Sequence, residues 1–282
     1  MTGVLLKDTG ALKGKVVVAF HGSDISRFVS KHGDDIYSEL FKKGDLFLPV
    51  SEYWKKELLR LGCAREKIRV HHMGIDPSRF ICKGNRQLDK ERIRILSAGK
   101  LKKKKGFRYA IEAIAEVVRR HPNFLYTIIG DGPLAGELKR LSEHLGLGDK
   151  VEFIGWKNRC EISEFMDKSH IFISPNVTAA DGDMEGIPNV IMEAMAKKLP
   201  VISTRHSGIS ELVMDGGSGF LVEEKDVPGL ADKLDYLLKD PSVCPEMGSC
   251  GRNIIISEFN VKEQNKRLSE VFQQLVGEEH EQ

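Results

Sequence analysis

The sequence predicts an α/β protein built on parallel sheets and divided into two Rossmann-like units of unequal completeness. Three observations carry this expectation. From residue 93 onward, short apolar runs alternate with amphipathic stretches of helical period. Before residue 88 the same alternation occurs in abbreviated form. The glycine-bearing turns 99–106 and 130–133 follow apolar runs, at the strand ends where parallel sheets collect ligands.

The first unit, residues 1–88, is expected to hold the strand VVVAF, a helix near 33–43, the strand DLFLPV, the helix EYWKKELLRLG and a third strand, KIRVHHM. ICKGNRQLDKER, residues 81–92, is polar and carries a glycine, so it reads as the linker. The second unit, 89–260, runs through IRILSAG, FRYAIEAIAEVVRRH, FLYTIIG, LAGELKRLSEHLG and VEFIGW. It continues with EISEFMDKS, HIFISPN, a helix opening at Pro188, then PVIST, ISELVMD and GFLVEE. Residues 261–282 contain an amphipathic helix, VKEQNKRLSEVFQQLVG.

Composition narrows the function. A chain of 282 residues can bury one large core or two ordinary ones. With 43 basic and 41 acidic residues the net charge is +2, which argues against a nucleic-acid binder. The run Lys102 to Lys105 is a local feature with no aromatic residue interleaved. Five cysteines without a C-x-x-C pair indicate neither a disulfide framework nor a zinc site, and fit a reducing cytoplasm. No apolar run approaches the roughly 20 residues that span a bilayer, so any membrane contact would be peripheral.

The most informative segment is DGDMEGIPNVIMEAMAKKLPVI, residues 181–202. Pro188 suits the first turn of a helix, leaving the amides around Gly186, Ile187 and Asn189 free for an oxygen-rich ligand. Glu193 lies about a turn and a half further on among apolar neighbours, and a carboxylate there needs a polar partner. Helical side chains lean toward the N-terminus, so Glu193 points back toward the mouth occupied by Glu185.

The pattern Glu, seven residues, Glu, with Gly-Ile-Pro after the first acid, resembles the retaining nucleotide-sugar glycosyltransferases of family 4, which have the GT-B fold. AFHGSDIS at 19–26, LPVSEYW at 48–54, KIRVHHMGIDPSRF at 67–80, SAGKLKKKKGF at 97–107, IIGDGPL at 128–134 and STRHSGISELV at 203–213 fall in that family's order. DGDMEGIP is similar to the stretch found in colanic acid and exopolysaccharide glycosyltransferases. The resemblance implies a complete C-terminal donor domain and a partial N-terminal acceptor domain, the family normally having further βα units ahead of the His-Gly loop. The last helix normally crosses back to the first domain.

The same resemblance assigns roles. Lys105, with Lys100 as partner, would hold the donor diphosphate, Lys100 standing where the family usually has arginine. Lys102 to Lys104 are left as surface, and a solvated loop is the alternative for the whole run. Glu193 would bind the ribose hydroxyls, or else form a structural salt bridge. Glu185 would contact the donor sugar with help from Gly186, Ile187 and Pro188, or else serve only as an N-terminal helix charge. His21 would stand near the reacting centre and Gly22 by the phosphates, although a lone strand-end histidine is more often structural. Gly130 and Gly132 would flank the base. Asp24 receives no chemistry, Glu211 reads as an early-helix charge, and His206, Ser207 and Gly208 as supporting residues. Asp181 and Asp183 resemble a metal-binding Asp-x-Asp, but that motif belongs to another fold, so no metal or cofactor is expected beside the nucleotide-sugar co-substrate.

The function implied is transfer of a hexose from a UDP- or GDP-sugar to a glycan or lipid-linked saccharide in exopolysaccharide or lipopolysaccharide assembly. The site would lie in the cytoplasm, with the inner face of the cytoplasmic membrane as the alternative placement. The alternative is a nucleotide-sugar-binding fragment without transfer.

Overall fold

A computed structural model describes residues 2–82 and 92–277. Most of the expected linker, residues 83–91, lies outside the described residues.

Among the described residues, eight strands form two parallel sheets. Strands β1 (Val17–Phe20) and β2 (Leu46–Pro49) pair in the first unit. Strands β3 (Ile93–Ala98), β4 (Phe124–Ile129), β5 (Val151–Gly155), β6 (Ile171–Ser174), β7 (Val201–Thr204) and β8 (Gly219–Val222) form the second sheet in the order β5-β4-β3-β6-β7-β8. This is the doubly wound order, and the crossover reverses between β3 and β6.

Helices α1 (Thr2–Asp8), α2 (Arg27–His32), α3 (Ser38–Lys43) and α4 (Glu52–Arg60) belong to the first unit. The second carries α5 (Phe107–Val117), α6 (Ala135–His144), α7 (Arg159–Lys168), α8 (Asn189–Ala196), α9 (Ile209–Leu212), α10 (Val227–Lys239) and α11 (Cys244–Glu258), with α12 (Val261–Gly277) last.

The core shows why the strands read as near-continuous apolar runs. Ile95 of β3 packs with Ile111, Ile114 and Leu234 of α5 and α10, whereas its neighbour Leu96 packs with Ile191, Met195 and Ile255 of α8 and α11. Ile128 and Ile129, and likewise Ile202 and Val201, divide between the same two layers. Successive side chains leave a strand on opposite faces, and helices cover both, so most positions are apolar and the buried polar ones, such as Ser97, Ser174 and Ser203, are hydrogen-bonded. The first unit has its own core, with Phe20, Tyr37, Phe41 and Phe47 in edge and tilted contact beside Trp54.

Three expectations need correction. The helix placed at 33–43 is shorter, α3 at Ser38–Lys43, because Gly33 at φ 93 closes α2 and residues 34–37 form turns before the helix begins. The third strand, KIRVHHM, forms only the bridge Phe47 to Ile68, with the Arg69 and His71 amides donating to the carbonyls of Phe47 and Pro49. The segment follows β2 without completing a ladder. Helices α1, α2, α10 and α11 have no counterpart among the expected elements. At the join to α12, Ile75 exchanges backbone bonds with Phe259 and Val261, both 2.9 Å, and Gln264 and Leu268 of α12 line a groove with Leu48 and His71 of the first unit.

Candidate active site

The loops after β3, β4 and β6 meet where the strand order reverses, and the first unit closes over them. After β4, Gly130 has φ 145, and a Cβ there would lie 1.9 Å from the carbonyl oxygen of Gly99. Only glycine permits this approach, which keeps the two strand ends together. Gly99, Lys100, Gly130, Gly132 and the 72% exposed Trp156 line a cleft of about 440 Å³. Lys105 lies beside Gly99 at the rim of this cleft, a Cβ on Gly99 lying 3.8 Å from its Cδ and Cε, and its ammonium turns to Glu185. Lys100, Lys105, Gly130 and Gly132 are thus brought into one region.

Across from them the first unit makes backbone contact. A Cβ on Gly186 would stand 1.9 Å from the His21 carbonyl oxygen, and one on Gly22 would stand 2.9 Å from the Gly186 amide nitrogen. The sequence therefore needs glycine on both sides of the seam. The His21 side chain is exposed. Its loop is shaped by Asp24, whose carboxylate accepts the His21 amide at 2.9 and 3.0 Å and the Gly22 amide at 2.7 Å. Asp24 was given no chemistry from sequence; its work is to fold the His-Gly turn.

Glu185 occupies the seam, its side chain 14% exposed. Lys105 Nζ lies 3.1 Å from its Oε2 and Lys104 Nζ 3.3 Å from its Oε1. Burial pushes this carboxyl up, but Lys105 and Lys104 together outweigh it and hold it below the ordinary glutamate value. Its amide donates to His206 Nε2 at 3.0 Å, and His206 Nδ1 meets Glu224 Oε1 at 2.5 Å. Glu224 also accepts the Thr178 amide at 2.8 Å. A chain of polar groups after β6, β7 and β8 thereby fixes the backbone of Glu185, with Ser207 Oγ donating to the Gly186 carbonyl at 2.8 Å.

Lys104 corrects the assignment of Lys102 to Lys104 as surface. Lys102 and Lys103 are exposed, but the Lys104 side chain is 15% exposed and bonds to Asp183 Oδ1 at 3.0 Å. The turn Lys103–Lys105 is a 3₁₀ helix ended by Gly106 in the left-handed region. It separates side chains that a run of identical residues does not distinguish. Asp183 also accepts Ser23 Oγ at 2.6 Å, and Asp181 pairs with Arg27 at 3.0 Å. Both carboxylates of the Asp-x-Asp thus meet first-unit partners. Among the described residues, no group of three or more His, Cys, Asp or Glu is placed to hold a metal ion.

Pro188 is the N-cap of α8 rather than its first helical residue, with extended backbone at φ −69 and ψ 119. The amides that follow still open the helix toward the Gly186 turn. Glu193, 8% exposed, forms the ion pair that its sequence alternative described, with Arg159 Nη2 at 2.6 Å. Burial pushes the Glu193 carboxyl above its ordinary value and Arg159 only partly offsets this. The Arg159 side chain remains 59% exposed, so the pair opens to solvent on one side. Ile187 is buried against Gly208, where a Cβ would also strike Ser51 of the first unit.

Glu211 is more than a helix charge. It reaches across the seam to accept the amides of Glu52 and Tyr53 at 3.0 and 3.1 Å, at the N-terminus of α4, and meets His72 Nε2 at 2.9 Å. Burial raises its pKa, and His72 with the two amides outweighs that and lowers it.

Two sheets facing each other over a loop-lined seam, with lysines and glycines at the carboxyl ends of the larger sheet, define a GT-B glycosyltransferase architecture. The sequence profile described as Glycosyl transferases group 1 matches residues 80–254, and that described as Glycosyltransferase Family 4 matches residues 3–79. The chain belongs to the group 1 glycosyltransferases. It is 40% identical over 277 residues to the putative colanic acid biosynthesis glycosyltransferase WcaL of Escherichia coli, covering 98% of this chain and 68% of that protein. It is 41% identical over 272 residues to the amylovoran biosynthesis glycosyltransferase AmsK of Erwinia amylovora, covering 96% and 66%. The chain spans about two thirds of these relatives' length. The crystal structure of Anabaena Alr3699/HepE in complex with UDP and glucose superposes with a TM-score of 0.81 at 20% identity, over 96% of this chain and 74% of that one.

Proposed function

We propose that the protein is a retaining hexosyltransferase that takes its sugar from a UDP- or GDP-sugar and delivers it to a glycan or lipid-linked saccharide in exopolysaccharide assembly. The observation that carries the reading is the continuous path from the cleft at Gly130, Gly132 and Lys100, over Gly99 along Lys105, to Glu185 at the seam. The names of WcaL and AmsK support the exopolysaccharide context, and the HepE complex supports a nucleotide-linked donor.

In this reading the base and ribose lie in the cleft beside Trp156, with Glu193 receiving the ribose hydroxyls in exchange for part of its bond to Arg159. The diphosphate lies by Lys100 and Lys105, and Gly22 lets the first-unit backbone approach it. The sugar lies between Glu185 and His21. The acceptor hydroxyl attacks the anomeric carbon on the face the leaving group departs from. The bond from that carbon to the phosphate oxygen breaks, and the same phosphate takes the hydroxyl proton. No covalent carboxylate is needed, and the two lysines stabilise the charge that builds on the diphosphate.

Work would take place on the cytoplasmic side, with peripheral membrane contact when the acceptor is lipid-linked; no helix among the described residues is long and apolar enough to cross a bilayer. Donor binding without transfer is the second reading, favoured by the small first-unit sheet of two strands. Thermal-shift screening against UDP- and GDP-sugars, followed by a transfer assay with glycan and lipid-linked acceptors, separates them. Stabilisation by one nucleotide series with transfer supports the first, stabilisation without transfer the second, and no stabilisation by either series refutes both.

A further inference from the structure

Lys104 and Lys105 are neighbours in sequence and share one carboxylate, but their surroundings differ. Besides Glu185 Oε1, the Lys104 ammonium faces Asp183 Oδ1 at 3.0 Å, Ser23 Oγ at 3.2 Å and the Met184 carbonyl oxygen at 3.2 Å. An ammonium has three hydrogens, which Lys104 donates to Asp183, Ser23 and Met184, with Glu185 held beside it as an ion pair at 3.3 Å. Among the described residues, Lys105 makes one ion pair, with Glu185 Oε2, and its chain lies along the Gly99 rim of the cleft.

We propose that Lys104 is a positioning residue: it anchors Glu185 so that Lys105 can leave that carboxylate for the donor diphosphate. The proposal rests on the nucleotide-sugar reading and adds a division of labour between adjacent lysines. Glu185 is largely buried, and a buried carboxylate stripped of its cations is costly. With Lys104 in place, Glu185 keeps one cation when a diphosphate draws Lys105 away. Without Lys104, Lys105 must remain on Glu185, and the diphosphate meets both a missing cation and an uncompensated anion. Since Ser23 lies on the first unit, the same ammonium also holds the His21 loop to the loop that carries Glu185.

Isothermal titration of UDP and of GDP into the full chain at physiological salt tests this. Lys104→Met is expected to weaken the diphosphate that the wild type binds by about five- to tenfold while leaving the corresponding nucleoside unchanged. Lys104→Arg should recover most of the loss, and Lys103→Met, at an exposed position, should show none. Glu185→Gln is expected to tighten the diphosphate about threefold by freeing Lys105, and the double variant Lys104→Met/Glu185→Gln should return to within about twofold of wild type. Wild-type affinity in Lys104→Met, or a double variant as weak as Lys104→Met alone, would overturn the proposal. If Lys104→Met fails to fold, Glu185→Gln decides by itself, because unchanged or weaker diphosphate binding contradicts the exchange. A wild type that binds neither diphosphate removes the nucleotide-sugar reading, and the proposal with it. A wild type that binds while Lys104→Met matches it removes the proposal alone.

Discussion

Replacing Glu193 with glutamine separates a structural from a ligand-binding role, because the structure sets opposite expectations for stability and affinity. The carboxylate is 8% exposed and bonded to Arg159 at 2.6 Å, so the change removes one ion pair. Arg159 is mostly in solvent and can be rehydrated, which keeps that loss small. Burial already holds the Glu193 pKa above its ordinary value despite Arg159, so ionised Glu193 is disfavoured in the folded state. For an acid with a raised folded pKa, the stabilising contribution is present below the unfolded value and is lost as pH rises through the folded one. Above that folded value the charged form carries a burial cost that Glu193→Gln avoids. The two effects oppose, so thermal melting at pH 7 should place the variant within about 1 kcal/mol of wild type. Loss of charge-assisted bonds to ribose, worth about 1.5–3 kcal/mol, should weaken UDP or GDP binding by roughly ten- to a hundredfold in isothermal titration. A folded variant with wild-type affinity refutes the ribose role. A variant destabilised by several kcal/mol would instead show that Glu193 is held for structure.

If Lys100 and Lys105 rather than a cation neutralise the diphosphate, as proposed, donor binding should survive excess EDTA; restoration by magnesium or manganese of binding abolished by EDTA would bring Asp181 and Asp183 back as ligands. Glu211→Gln should lower stability by about 1–2 kcal/mol at pH 7, the carboxylate being shared by two amides and His72 across the seam. Its folded pKa is lowered, so its contribution is present above the unfolded value and is lost as pH falls through the folded one; wild-type and variant melting curves should therefore converge on acidification. Gly186→Ala puts a carbon more than ~1 Å inside an ordinary carbon–oxygen contact with the His21 carbonyl, and a displacement of that size at the seam should reduce transfer about a hundredfold. Unaltered turnover in Gly186→Ala would mean that the seam does not set the reacting geometry.

The larger sheet was legible because β3 to β8 are short, mainly apolar runs bounded by glycine, proline or polar turns, and helices on both faces suppress the regular polar alternation of a half-exposed strand. The edge of the first unit was harder to read. KIRVHHM has strand composition, but composition does not tell how far a ladder runs, and this segment gives β2 only the Ile68 bridge and the amides of Arg69 and His71. The helix at 33–43 begins only at Ser38, because Gly33, whose positive φ is a property of the turn, is followed by turns through residue 37. Within the site, Glu185 stood out by its turn and Glu193 by its apolar neighbours. Lys104 did not, since four consecutive lysines are equivalent until a 3₁₀ turn sends one toward Asp183. Arg159 and Glu211 were hidden for the same kind of reason, their partners being 34 and 159 residues away in sequence.

The central claim is that Lys105 and the cleft beside it bind the diphosphate of a nucleotide-sugar. Isothermal titration of a UDP-sugar and a GDP-sugar into wild type and Lys105→Ala, with the matching nucleoside as control, tests it most directly. The account predicts that the wild type binds one donor series, that Lys105→Ala loses at least about tenfold in affinity for that donor, and that nucleoside binding is unchanged. Equal donor affinity in the two proteins, or no binding of either donor by the wild type, would contradict it.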